Sequence, residues 1–283
     1  MRGRGIDSPA SGRMKSRRED TILDKKKIEQ FGDALYDAMI TRETIDPLTE
    51  QAPGIQVEDA YQISLRMLER RTAAGEHVIG KKIGVTSKAV MDMLEVYQPD
   101  FGFLTDRMMF STGAEVPAST EMIQPRAEGE IAFILKDRLA GPGVTNADVL
   151  AATDFVMPCF EIVDSRIRDW KIKIQDTISD NASCGVVVMG DRVVKPTDVD
   201  LSTCGMVVEL NGEIISTGAG AAALGSPVNS VTWLANTLGS FGIELEAGEV
   251  ILSGSLVPLQ PVKAGDNMHL AIGGIGQCSV RFN

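Results

Sequence analysis

Apolar residues recur at helical spacing from Ile28 through Phe31 and Leu35 to Met39, and a second helical pattern runs from about Val57 to Ala74, beyond the break at Pro53-Gly54. Both stretches predict amphipathic helices. From residue 78 the texture changes to short runs rich in Val and Ile, namely HVIGKKIGV, EGEIAFIL, CFEIV, CGVVVMG, CGMVVELNGEIIS, GEVILSG and MHLAIGG, separated by Gly, Pro, Asp and Asn. These predict a β-rich core. Short helices are expected after Thr86-Ser87, near Asn146-Ala152 and from Ser226-Pro227, where Ser caps and Pro takes the first turn. Asn211-Gly212, between two strand-like runs, is a hairpin signal. The pattern therefore gives a mixed α/β chain, with a helical arm over residues 21–77 and a β-rich domain over 78–283. Residues 1–20 are basic and polar, without periodicity, and are expected to form a disordered extension.

Composition narrows the function. With 43 % apolar residues the chain can bury a sizeable core. No apolar run approaches the roughly 20 residues of a membrane helix, and the first residues hold no apolar stretch for a signal peptide, so a cytoplasmic protein is expected. A formal charge of −11 repels phosphate backbones and argues against nucleic-acid binding. Cys159, Cys184, Cys204 and Cys278 are far apart, with no CxxC pair, and read as reduced, buried residues. His77 and His269 are the only histidines, and neither GEHVIG nor NMHLAI resembles a nucleophile-histidine site. Carboxylates and lysine are left to carry the chemistry.

The most informative segment is PRAEGEIAFI at 125–134. Residues two apart in a strand share a face, so Glu128 and Glu130 point one way while Gly129, Ile131 and Phe133 point the other. Such a pair is ordinarily a solvated strand face. A third acid, Glu161, in the equally apolar run MPCFEIV, shifts the balance toward a hard divalent cation, Mg²⁺ or Mn²⁺, held by oxygen ligands. Lys82, between glycines in an apolar strand, is either a snorkelling surface lysine or, near a metal, a proton carrier. Asp100 after Pro99 reads by default as a turn residue, and Asp176, Asp180 and Asn181 as either loop and cap residues or pocket lining. Gly218-Ala219-Gly220 satisfies a loose dinucleotide fingerprint. It follows a hairpin strand and opens no helix, so nucleotide binding is not expected.

The segments KKIGVTSKAV, QPDFG, QPRAEGEIAFIL, PCFEIVDSRIRDWKIKIQDTISDNASCG and VILSGSLVP resemble those of the 2-hydroxypenta-2,4-dienoate hydratases, within the fumarylacetoacetate hydrolase superfamily. The likeness covers roughly residues 25–283. It implies a rolled, barrel-like β core with flanking helices and the N-terminal arm, and a metal held by Glu128, Glu130 and Glu161. It further implies Lys82 and Asp100 at the proton-transfer positions, and Glu58 of the arm closing over the site. Ser253 and Ser255 of the LSGS loop, with Asn181, are the candidates for binding the substrate, a small unsaturated 2-oxo or 2-hydroxy acid. Relatives are homo-oligomers, commonly decamers, and associate with the related 2-oxo-3-hexenedioate decarboxylase. That decarboxylase activity, or a non-catalytic partner subunit, is the alternative reading. One departure matters: many relatives carry His-Pro before the arm helix, where this chain has Ala52-Pro53.

Overall fold

The computed structural model describes residues 23–88, 91–92, 96 and 98–283. The extension over residues 1–20, and part of the helix expected after Ser87, lie outside them. The arm begins with α1 (Lys25–Thr41), continues through one turn, α2 (Leu48–Gln51), and ends in α3 (Val57–Ala73). Local chemistry sets these boundaries. The Asp24 carboxylate accepts the Lys27 N–H at 2.8 Å to start α1, and Arg42, at φ 60°, closes it in the left-handed region. Asp59 starts α3 by accepting the Gln56 N–H at 2.9 Å. The apolar stripes of both helices, through Phe31, Leu35, Ile63 and Met67, meet Leu48, Ile55 and Ile167 in one buried cluster.

The strands are β1 (Val78–Gly84), β2 (Asp100–Thr105), β3 (Met109–Ser111), β4 (Ala114–Val116), β5 (Pro125–Leu135), β6 (Thr153–Asp164), β7 (Cys184–Met189), β8 (Gly205–Leu210), β9 (Glu213–Ala219), β10 (Val250–Leu252), β11 (Gln260–Pro261), β12 (Asn267–Ile272) and β13 (Gly276–Phe282). They form an eight-stranded sheet ordered β2-β1-β10-β5-β6-β7-β3, with β11 pairing β5, and a five-stranded sheet ordered β4-β13-β12-β8-β9. Each of the Val- and Ile-rich runs named from the sequence contributes a strand, and CGMVVELNGEIIS contributes two. Asn211 and Gly212 turn β8 into antiparallel β9 with φ of 55° and 86°, as the hairpin signal requires. Helices also cover Asn146–Ala152 and Pro227–Gly239; Ser226 holds the cap position of the latter, but its side chain makes no cap hydrogen bond.

The core lies between the two sheets, where Ile131, Phe133, Phe160 and Ile162 meet Met206 and Leu270. Gly129 explains why a glycine separates the two acids of β5. It faces this core, and a Cβ there would stand 2.5 Å from Met206 Sδ. All four cysteines are buried and free. Among the described residues no helix is long and apolar enough to cross a membrane.

Candidate metal centre and active site

The pleat of β5 sets Glu128 and Glu130 on the face opposite Gly129, and the antiparallel register brings Glu161 of β6 directly across from Glu128. Carboxylate oxygens from the three acids all lie within 4.8 Å of one another. Glu130 and Glu161 are fully buried and Glu128 is half-buried, so this is not a solvated strand face. Both oxygens of Glu161 and Oε1 of Glu130 have no hydrogen-bond partner. Buried carboxylate oxygens left unpaired are costly. Here they converge, and an oxygen-only set of this kind fits a hard divalent cation with coordination positions to spare. The remaining oxygen of Glu130, Oε2, accepts the Gly254 N–H at 2.8 Å, which fixes the orientation of that carboxylate. Gly254 has φ 96° and packs so tightly on Thr86 that a Cβ would stand 2.3 Å from Thr86 Oγ1.

Lys82 lies on β1, three strands from Glu161 in the sheet order. On a flat sheet that separation is about 14 Å. Its Nζ nevertheless stands 3.1 Å from Glu161 Oε1, at ion-pair distance though not aligned for a hydrogen bond, because the sheet curls and folds its concave face onto itself. Lys81 points to the opposite face and is held there by Glu249 and, at 3.1 Å, the Glu244 carbonyl. Asp100, 1 % exposed, pairs with Gly84 across β1 and β2. A Cβ at residue 84 would stand 2.2 Å from Asp100 Oδ1 and 3.4 Å from Lys82 Nζ, so the glycine leaves the room that both the carboxyl and the ammonium occupy.

Burial alone would strip the Lys82 proton, but Glu161 and then Asp100 outweigh it and hold the ammonium above the usual lysine range. Burial raises Asp100 above its ordinary value, with Lys82 opposing and Glu161 adding. Burial, and then the charge of Glu161, push Glu128 up to about 7 and Glu130 well above its ordinary value. A carboxyl raised on folding stabilises the protein fully below its unfolded value and loses that contribution as pH rises through the folded one. A cation competes for the same oxygens and gains as the protons leave. The melting temperature of chelator-treated protein is therefore expected to fall between about pH 4.5 and about pH 7, while the increase on adding Mg²⁺ grows over the same interval. Thermal scans across that range check this; an increase independent of pH would put the cation somewhere other than these acids.

The other residues singled out in the sequence are placed differently. Glu58 is exposed, one turn before Tyr61, whose ring stacks on Phe101 at 4.2 Å beside Asp100. The Asn181 amide clamps the backbone of Phe103, accepting from its N–H at 2.8 Å and donating to its carbonyl at 3.0 Å. Asp176 accepts from the Thr49 N–H and hydroxyl at 3.0 and 2.7 Å, and Asp180 pairs with Arg166. Ser253 Oγ donates to the Ile131 carbonyl at 2.9 Å and Ser255 Oγ to the Val257 carbonyl at 2.6 Å. What the LSGS loop offers the triad is the Gly254 amide, a backbone group no side-chain reading of the sequence reveals. His77 is 79 % exposed beside Asp106, and His269 lies on the five-stranded sheet, 3.3 Å from Gln277.

The family described as "Fumarylacetoacetate (FAA) hydrolase C-terminal" matches residues 75–283, which hold the triad, Lys82, Asp100 and Gly254. The chain belongs to the fumarylacetoacetate hydrolase family. Within that family it is similar to a 2-hydroxypent-2,4-dienoate hydratase of Pseudomonas putida, 71 % identical over 221 residues, which are 78 % of this chain and 100 % of the relative. It is 59 % identical over 262 residues to a 2-hydroxyhexa-2,4-dienoate hydratase of Comamonas testosteroni, covering 92 % of this chain and 99 % of that one. The 4-oxalocrotonate decarboxylase of Pseudomonas putida G7, solved with magnesium and adipate, shares the fold with a TM-score of 0.90 at 36 % identity, over 93 % of this chain and 100 % of that one. The fumarylacetoacetate hydrolase fold is the mixed α/β, rolled-sheet architecture that the sequence led us to expect.

Proposed function

We propose that this chain is a hydro-lyase that hydrates 2-hydroxypenta-2,4-dienoate to 4-hydroxy-2-oxopentanoate, in the meta-cleavage breakdown of aromatic compounds, with a divalent cation, Mg²⁺ or Mn²⁺, as cofactor. The observation that carries this reading is the convergence of buried carboxylate oxygens of Glu130 and Glu161 that have no hydrogen-bond partner, with Lys82 3.1 Å from Glu161 and Asp100 near it, in a chain whose two imidazoles both lie elsewhere. The names of the similar hydratases support the substrate class.

Glu128, Glu130 and Glu161 would hold the cation, which when bound supplies Lewis-acid stabilisation of negative charge on the 2-oxygen of the substrate. The proton steps fall to the chain's own groups. Asp100, whose carboxyl burial raises above its ordinary value, is our candidate to deliver a proton to C5 as the 2-hydroxyl of the dienol gives up its own proton and becomes a ketone. Left as a carboxylate, it can take a proton from the water that adds at C4, and the proton given up by the 2-hydroxyl is matched by the one C3 gains, so that one water is the net addition. Lys82 remains an ammonium between Glu161 and Asp100 and holds the negative charge that passes across the site.

Ultraviolet monitoring of freshly generated 2-hydroxypenta-2,4-dienoate tests the proposal. Absorbance should disappear with formation of the hydroxy-oxo acid in Mg²⁺- or Mn²⁺-loaded protein and persist in chelated protein. No metal-dependent change would favour a non-catalytic partner subunit. Release of carbon dioxide from 2-oxo-3-hexenedioate, without dienoate hydration, would favour the activity named for the structural neighbour.

A further inference from the structure

The strand alternation that turns Glu128 and Glu130 to the concave face of the eight-stranded sheet turns Arg126 there too, about 7 Å along β5 from Glu128. Beyond Glu130 this face is closed by Ala132, Cys159 and Leu252, which are buried in one cluster. Exposure rises the other way, from buried Glu130 through half-buried Glu128 to half-buried Arg126, so Arg126 stands at the open end. Its neighbours across the sheet, Val163 on β6 and Pro261 on β11, carry no charge. Among the described residues nothing gives its guanidinium a carboxylate or a hydrogen bond; it stacks instead on the Trp170 ring, 4.6 Å from the centroid. The chain has 39 acidic against 28 basic residues, and Arg66, Arg70, Arg71 and Arg166 are all ion-paired, so a guanidinium left without an acid beside an acidic centre calls for a reason.

The ring beneath it is held against its backbone preference. Asp169 and Trp170 lie at φ 57° and 55°, a left-handed conformation that disfavours large side chains. Trp170 Nε1 donates to the Gln124 carbonyl at 3.0 Å, and the Gln124 side-chain amide donates to the Ser165 and Ile167 carbonyls at 2.8 and 2.7 Å, so the loop after β6 is strapped to the residue that precedes β5. Strain over-determined in this way concentrates at ligand sites. We propose that Arg126 binds the carboxylate of the substrate at the entrance to the triad, and that Trp170 is the positioning residue that holds the guanidinium for it. The inference rests on the reading above, that the substrate is a short 2-oxo acid. Such an anion must approach three carboxylates, and a guanidinium offers it opposite charge and two parallel N–H donors. Stacking on a ring face leaves those in-plane donors free.

Isothermal titration of Mg²⁺-loaded protein with the unreactive saturated acid 2-oxobutanoate tests this. Arg126→Met keeps the apolar stem on the ring and should lower affinity at least about tenfold, the scale of hydrogen bonds to a charged group. The preference for 2-oxobutanoate over its amide should fall by the same factor, while Mg²⁺ affinity without acid and the melting temperature stay as in the unaltered protein. Arg126→Lys keeps the charge without the planar fork and should fall between the two. Trp170→Leu should weaken acid binding severalfold in the unaltered protein and leave it unmoved in the Arg126→Met background, as expected of a residue that acts through Arg126. Unchanged 2-oxobutanoate affinity in Arg126→Met, or an equal loss for acid and amide, overturns the proposal. So does a loss confined to 2-oxoadipate, which would put Arg126 on a second carboxylate. Protein in which Arg126 governs acid binding as described, yet which hydrates no dienoate, would sustain the assignment of Arg126 and remove the hydratase reading.

Discussion

Glu130→Gln and Glu161→Gln are each expected to lower turnover by more than about a thousandfold, with opposite effects on the metal-free fold. On the proposed assignment, either substitution replaces a buried anionic ligand by a weaker, neutral one. The three acids also repel one another without a cation, so removing the charge of Glu130 relieves strain that the remaining protein carries, and its metal-free melting temperature should rise. Glu161 differs because it partners Lys82 at 3.1 Å. Its loss leaves a buried ammonium with one carboxyl fewer, and breaking such a pair destabilises by about 3–5 kcal/mol, so that variant should melt lower. Calorimetric metal titration, steady-state kinetics and melting curves on the two variants check all three statements. Unchanged metal affinity and turnover in both would remove the triad from the mechanism.

Hydration of 2-hydroxypenta-2,4-dienoate should exceed cleavage of acylpyruvates by at least roughly two orders of magnitude in kcat/KM, the scale of one general base. Carbon-carbon hydrolysis needs water activated to attack a ketone, usually by a positioned histidine. Position 52, where the family resemblance leads one to expect a histidine in many members, is alanine, and Ala52 packs against the apolar cluster of the arm. His77 and His269 are engaged by Asp106 and Gln277 in other parts of the molecule. Addition to a conjugated enone asks less of a base, the role we propose for Asp100 near Lys82. Kinetics with both substrates at saturating Mg²⁺ or Mn²⁺ would decide the matter, and comparable rates would defeat the hydratase assignment.

The acidic triad was legible in the sequence because strand periodicity alone puts Glu128 and Glu130 on one face, and the apolar neighbours of Glu161 mark it as buried. The helices of the arm were equally plain from the spacing of Phe31, Leu35 and Met39. Lys82 was singled out in the sequence, but what engages its neighbour was visible only once β1 had a register: Lys81 and Lys82 alternate faces, and the first is taken by Glu249. The role of Asn181 was open for another reason. An amide can clamp a backbone or bind a ligand, and its bond to Phe103, 78 positions away in sequence, is a tertiary contact with no local signature. The Gly254 amide escaped notice because every residue has one, and only the fold decides which amide meets a carboxylate.

Strand β10 has a consequence for how the chain becomes an enzyme. It is only three residues long, yet it lies between β1 and β5, parallel to one and antiparallel to the other. Lys82 and the glutamates are therefore on separate pieces of sheet until residues 250–252 slot between them, and Glu130 waits for its partner at 254. During synthesis from the N-terminus, the chain has emitted all its acidic ligands by residue 161 but cannot assemble their surroundings for another ninety or so. Closure of so long a loop makes centre formation a late, non-local event. Acquisition of tight metal binding should thus report completion of the whole sheet rather than of any one segment of it.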